Sequence, residues 1–171
     1  IDGINGISLI FFIFIQVYLT IFHNLNILIY LLIPTIIFLY FNIFNKSYIG
    51  NSGSTVIPFY ISVLFVNFHN NKGYFFSANE IIYLLFLPGL DFIYLFFTRL
   101  LNKKSPFKGD KNHFHHIIFY KTKNIFLTNL IYIFIATIPV TMFVLKIKQI
   151  FIVIVMTIIY FLVRKVFQNA N

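Results

Sequence analysis

The sequence predicts an all-α, polytopic membrane protein, a bundle of about six transmembrane helices, and two observations carry that reading. Hydrophobic residues make up 60% of the chain against only 10% charged, whereas a soluble domain runs at about 25% charged. The apolar residues also fall into long runs separated by polar loops. A helix crossing about 30 Å of hydrocarbon needs about 20 such residues, and it satisfies its own backbone groups while doing so.

The first run extends from Ile7 to Phe22 and stops at the polar break His23-Asn24-Leu25-Asn26. The second, Ile27 to Phe44, contains Pro34, which a membrane helix tolerates as a kink. A polar loop, NKSYIGNSGS (Asn45 to Ser54), precedes the third run, Thr55 to Phe68, with Pro58 near its start. The loop from His69 to Glu80 leads to the fourth run, Ile81 to Leu101, interrupted by Pro88-Gly89 and Asp91. The fifth covers Asn124 to Leu145 and the sixth Gln149 to Phe167. The first and third are short for a crossing, so flanking residues are expected to join them.

The chain has no cysteine, which excludes disulfides and thiolate metal sites. Its net charge of +9 would suggest nucleic acid in a soluble protein. Here the basic residues sit in loops between apolar spans, which points instead to anionic headgroups or phosphorylated substrates and to no nucleic acid. With the loop after the second run on the cytoplasmic side, that side holds Lys46, Arg99, Lys103, Lys104, Lys108, Lys111, Lys121, Lys123, Arg164 and Lys165. Only Lys72, Lys146 and Lys148 lie opposite, a clear positive-inside bias. Asp2, Asn51 and the HFHH motif then all fall on the cytoplasmic face.

Between the fourth and fifth runs lies the basic stretch Asn102 to Lys123, with three of the five histidines, Asp110 and six of the thirteen Lys and Arg residues. Lysines offer fixed charge to phosphate oxygens, and His113, His115 and His116 offer imidazoles that donate to an anion or relay a proton near neutral pH. Read as positions on a helix, His113 and His116 share a face and His115 points elsewhere. Only Asp110 is at hand as a further metal ligand, so a structural metal site is not expected there. A topology-setting basic loop accounts for the charge alone, but not for the charge together with Asp110 and HFHH. The small residues of Gly50-Asn51-Ser52-Gly53-Ser54 permit close approach of backbone amides to an anion, and equally an ordinary turn. Asp91 lies about 12 Å of helix before Arg99, at a depth where an unpaired charge is costly. Helix partner and functional group remain equally open for it. Gln16, Asn67 and Asn129 are expected to hydrogen-bond between helices, and His23 and His69 to be solvated.

Together, DGINGIS, YIGNSGS and PGLDFIYLFFTRLLNKKSPFKGDKNHFHH resemble the polyprenyl-phosphate N-acetylhexosamine-1-phosphate transferases, the MraY/WecA superfamily. Motif order, spacing and intervening helices match the C-terminal half of that family, and the most specific part is the stretch from Pro88 to His116, with its S-P-F-x-x-D-x-x-H-x-H-H ending. The chain opens on Ile1-Asp2-Gly3 with a polar motif, so residues 1–171 are read as the C-terminal part of one integral-membrane domain lacking its N-terminal half. The HFHH spacing is similar to the N-acetylglucosamine branch.

The resemblance implies transfer of a sugar 1-phosphate from a UDP-N-acetylhexosamine to undecaprenyl phosphate with release of UMP. The enzyme it implies depends on Mg²⁺ or Mn²⁺, sits in the bacterial inner membrane with its site facing the cytoplasm, and admits a homodimer. By carry-over, Asp2 and Asn5 hold the nucleotide, Tyr48 stacks on uracil, Asn51 occupies a metal-binding position, and Asp110, His113, His115 and His116 meet the donor beside Lys108 and Lys111. Asn51 stands where the family has an aspartate, and an amide is a weaker ligand for a hard cation. An inactive or regulatory membrane protein of the same fold, and a transporter or channel lined by the Pro88/Asp91 kink, are the alternatives.

Overall fold

In the computed structural model, which describes residues 4–70, 77–106 and 111–168, the described residues form α-helices joined by short connections and no strand. The fold class is the expected all-α membrane helix bundle. The chain divides into two compact units, residues 1–81 and 82–171.

The first unit is built on α1 (Ile7–His23) and α2 (Ile27–Ile43). Asn24 adopts the left-handed conformation at the end of α1, where its N–H reaches the Leu19 carbonyl, a role that Gly and Asn fill with least strain. The three-residue connection makes α1 and α2 antiparallel neighbours. Their far ends are tied by the Gly6 N–H, which donates to Asn42 Oδ1 at 2.6 Å. Ile7, Phe11, Ile15 and Leu19, spaced by four, are all buried on α1, as an apolar helix stripe requires. Gln16 is also buried, yet neither its amide nitrogen nor its oxygen is paired among the described residues, unlike the helix-to-helix bond expected of it. Asn67 is exposed.

α3 (Gly50–Asn70) begins five residues before the expected third run. The Gly-Asn-Ser-Gly-Ser segment is therefore its opening turns and not a loop. Ser54 Oγ and Thr55 Oγ1 donate to the Asn51 carbonyl at 3.0 and 2.9 Å, so the small polar residues reinforce the helix they were expected to precede.

The fourth run folds as α4 (Ala78–Leu84) and α5 (Phe86–Leu101), which bend by 72° at their break. Pro88 explains the position of the break. It has no N–H for the Leu84 carbonyl, and its ring would crowd that carbonyl in a continuous helix.

The second unit adds α6 (Phe114–Thr122), α7 (Ile125–Val144) and α8 (Gln149–Gln168). Each long helix buries a stripe spaced by four: Leu87, Asp91 and Leu95 on α5; Thr128, Tyr132, Ala136 and Val140 on α7; Ile152, Met156, Tyr160 and Arg164 on α8. Asp91 and Arg164 are thus carried onto buried faces by helical register. By length and composition α7 and Gln149–Phe167 of α8 can cross a membrane, the bent α4–α5 pair makes a third if it forms one span and not a re-entrant loop, and α1 and α2 are shorter apolar helices, so the described residues hold two or three such spans against the six expected.

Candidate functional site

Asp91 is the centre of the polar interior of the second unit. Its Oδ1 accepts from Tyr160 O–H at 2.8 Å and from the Phe114 N–H at 3.1 Å. Its Oδ2 faces His113 Nδ1 at 2.9 Å. Arg164 lies 3.5 Å from Oδ1 and donates through Nη1 to Tyr160 Oη and through Nη2 to the Asn112 carbonyl, both at 2.9 Å. The guanidinium also lies 4.3 Å from the centre of the Tyr94 ring, a cation–π arrangement that is strongest where water is excluded. Two segments, the start of α6 with the residues before it and α8, thereby converge on one carboxylate of α5.

Sequence reasoning singled out Asp91 without a role and missed Tyr160. It counted Arg164 as a cytoplasmic charge, but the side chain is only 5% exposed and pairs within the core. The available signal was the stripe Ile152, Met156, Tyr160, Arg164, which sets a cation on the face an apolar helix buries.

The three histidines follow from the local chain path. His113 caps the start of α6 in extended conformation (φ −60°, ψ 149°), so it lies outside the helix, and helical spacing does not set its direction. This corrects the expected pairing of His113 with His116 on one face. The His113 ring stacks beside His115, centroids 5.6 Å apart and 10° from parallel, and His115 lies 4.5 Å from His116. His113 is about one-third exposed, His116 is half-buried and His115 is buried. Burial drives the His115 imidazole down to about 3, with His116 and His113 adding to the effect, so it is neutral at neutral pH. Its Nε2 is buried without a hydrogen-bond partner among the described residues. Lys111 is exposed just ahead of the cluster.

Asn5, Tyr48 and Asn51 belong to the first unit. Asn42 accepts from Gly6 and donates through Nδ2 to the Ser47 carbonyl at 2.9 Å, while Asn5 Nδ2 donates to Asn45 Oδ1 at 2.6 Å. The opening segment is therefore held against the loop that carries Tyr48, whose ring is 73% exposed. Asn51 is exposed in the first turn of α3. His23, expected to be solvated, instead meets Glu80 Oε1 at 3.1 Å and is 11% exposed. His69 is exposed in the last turn of α3.

Asp2, Lys108 and Asp110 lie outside the described residues. Among those described, no three His, Asp or Glu side chains are grouped to hold a metal ion, and both Asp91 oxygens are engaged by protein donors. That donor set does not fit a Mg²⁺ centre, whose ligands are mainly carboxylate and water oxygens.

No family model and no solved structure matches the chain. Curated relatives do match, over 73 residues that make up 43% of the chain. The one from Pasteurella multocida is 32% identical, and those from Salmonella typhi and Escherichia coli K12 are 29% identical. Each is named an undecaprenyl-phosphate alpha-N-acetylglucosaminyl 1-phosphate transferase. The match covers 20% of the length of these relatives. Across those 73 residues the chain is similar to the transferases that its motifs resemble.

Proposed function

We propose that the protein transfers an N-acetylhexosamine 1-phosphate, of the N-acetylglucosamine type, from a UDP-sugar to undecaprenyl phosphate, releasing UMP. The relatives' shared name supports the acceptor and the group transferred. The observation that carries the reading is the cluster of three imidazoles opening α6, one of them bonded to a buried carboxylate and reachable from solvent.

In the reaction, an oxygen of the lipid phosphate attacks the phosphorus that bears the sugar. A new P–O–P linkage forms, the bond to UMP breaks, and UMP leaves with the bridging oxygen and its electron pair. Catalysis of this kind is mainly positioning and stabilisation of charge on phosphate oxygens. His113 and His116 serve as donors to the pyrophosphate, with Lys111, and the motif resemblance assigns Lys108 and Asp110 to the same donor. Buried, neutral His115 supports the other two rings. The motif resemblance assigns Asp2, Asn5 and the exposed Tyr48 to the nucleotide. The site faces the cytoplasm, where UDP-sugars are made. A requirement for Mg²⁺ or Mn²⁺ rests on the charge of a pyrophosphate donor and on no described side chain apart from Asn51.

Membranes carrying the full-length protein, given UDP-N-acetylglucosamine and undecaprenyl phosphate, test this. Acceptor-dependent UMP and a lipid-linked sugar pyrophosphate are the expected products. Their absence at every Mg²⁺ concentration overturns the assignment in favour of a membrane protein without this chemistry. Where transfer occurs, Asn51→Asp lowers the Mg²⁺ concentration for half-maximal rate, and coincident titrations remove Asn51 from the metal site.

A further inference from the structure

Nothing in the transferase reading assigns a task to Asp91, Tyr160 or Arg164. We propose that Asp91 is a positioning residue: it holds His113 with the proton on Nδ1, so that Nε2 is the atom presented to the donor's phosphate, while Tyr160 and Arg164 hold Asp91. The inference rests on the proposed function for the identity of the ligand, but the tautomer itself does not.

The direction of each hydrogen bond fixes the arrangement. A guanidinium only donates, so Arg164 Nη1 gives its proton to Tyr160 Oη. The Tyr160 hydroxyl then directs its own proton to Asp91 Oδ1, which also accepts from the Phe114 N–H. A carboxylate only accepts, so the 2.9 Å contact between Asp91 Oδ2 and His113 Nδ1 requires the proton to be on Nδ1. The neutral ring therefore carries its lone pair on Nε2. A proton taken up there makes an imidazolium balanced by Asp91 on one side and free to donate a charge-assisted hydrogen bond on the other. The ring cannot swing away easily. It stacks beside His115, and its backbone enters α6 with the next N–H bonded to the same carboxylate. Among the described residues, the His115 ring beside it meets His116 on α6 and Tyr132 on α7, Arg164 on α8 lies against Asp91, and Lys111 is exposed just ahead of His113.

The same bonds predict what an amide does at this position. In Asp91→Asn, the Phe114 N–H and the Tyr160 hydroxyl still require an oxygen at the Oδ1 position. The NH₂ group must then face His113 Nδ1 and donate to it. Nδ1 becomes the acceptor and the ring proton moves to Nε2, although the shape of the site is kept. A side chain that merely braced the helices would leave the tautomer unaffected.

The experiment is solid-state ¹⁵N spectroscopy of the full-length, histidine-labelled protein in lipid bilayers, with the His113 signals identified by their loss in His113→Gln. The wild type is expected to show His113 protonated at Nδ1 with Nε2 bare at high pH, and Asp91→Asn the reverse. A wild-type His113 protonated at Nε2 with Nδ1 bare overturns the inference, without reference to any variant's folding. In the transfer assay, Asp91→Asn is expected to lower kcat about tenfold with KM little changed, the loss of one charge-assisted contact. The same substitution in His113→Gln is expected to cost nothing more. An equal loss on both backgrounds makes Asp91 structural and overturns the positioning role. Absence of transfer in the wild type removes the proposed function and leaves the spectrum to judge the tautomer alone.

Discussion

Each unit of the molecule holds one carboxylate bonded to a histidine and a tyrosine, and the two are built for different ends. In the first unit Glu80 Oε1 accepts from Tyr18 Oη at 2.9 Å and meets His23 Nε2 at 3.1 Å. Its Oε2 accepts from the Ser77 N–H and hydroxyl at 2.9 and 3.1 Å, and the Glu80 N–H returns a bond to Ser77 Oγ. That reciprocal pattern is a capping box at the start of α4. It commits Oε2 to the start of the helix, while Oε1 holds Tyr18 and His23, the latter through Nε2. In the second unit Asp91 is deeper, faces a buried guanidinium, and binds its histidine through Nδ1, so Nε2 stands outside that bond. The residue types alone do not separate the two clusters. Which nitrogen is occupied, and how exposed the ring is, does.

The sharpest way to break the contrast is to remove the cation. Arg164→Ala leaves Asp91 buried with its charge uncompensated and is expected to destabilise the protein by about 3–5 kcal/mol in denaturant unfolding in lipid or detergent. A loss within the range of an exposed pair would show that the Asp91 cluster is no more ionic than the Glu80 one.

His115 gives the next largest effect. Its imidazole is held at about 3 in the folded protein and returns to about 6.5 on unfolding. Between those values the unfolded chain binds the proton and the folded chain does not, so stability falls as pH drops from about 6.5 towards 3, by up to about 1.4 kcal/mol per pH unit. His115→Phe should flatten that part of the stability–pH curve, and a wild-type curve already flat there would contradict the burial argument.

The smallest effect belongs to the first unit. Ser77→Ala removes the cap and should cost about 1 kcal/mol, with no change in transfer rate per folded molecule.

Much of the fold was legible because apolar periodicity is a local property: every apolar run became helix, whereas the basic stretch read as a loop contains the further helix α6. What was not legible depends on distance along the chain. Asp91 and Tyr160 are 69 residues apart, and no local pattern announces that they meet. Arg164 looked like a topology signal because it ends an apolar run beside Lys165, where a flanking cation ordinarily reaches the interface. His23 looked solvated because it follows such a run, yet Glu80, 57 residues on, receives it. Gly50 to Ser54 read as a loop because Gly and Ser mark turns. They lie instead in the opening turns of α3, where the hydroxyls of Ser54 and Thr55 are satisfied on the Asn51 carbonyl.

The central claim is that, of the two carboxylate–histidine–tyrosine clusters, the one at Asp91 serves phosphoryl transfer and the one at Glu80 does not. The most direct test compares His113→Gln with His23→Gln in the full-length protein, measuring lipid-linked sugar pyrophosphate formed per folded molecule. His113→Gln is expected to lose about 10²-fold or more in kcat, the scale of one lost donor to a phosphoryl transition state, while His23→Gln keeps its rate. Equal rates for His113→Gln and wild type, or a loss confined to His23→Gln, would contradict it.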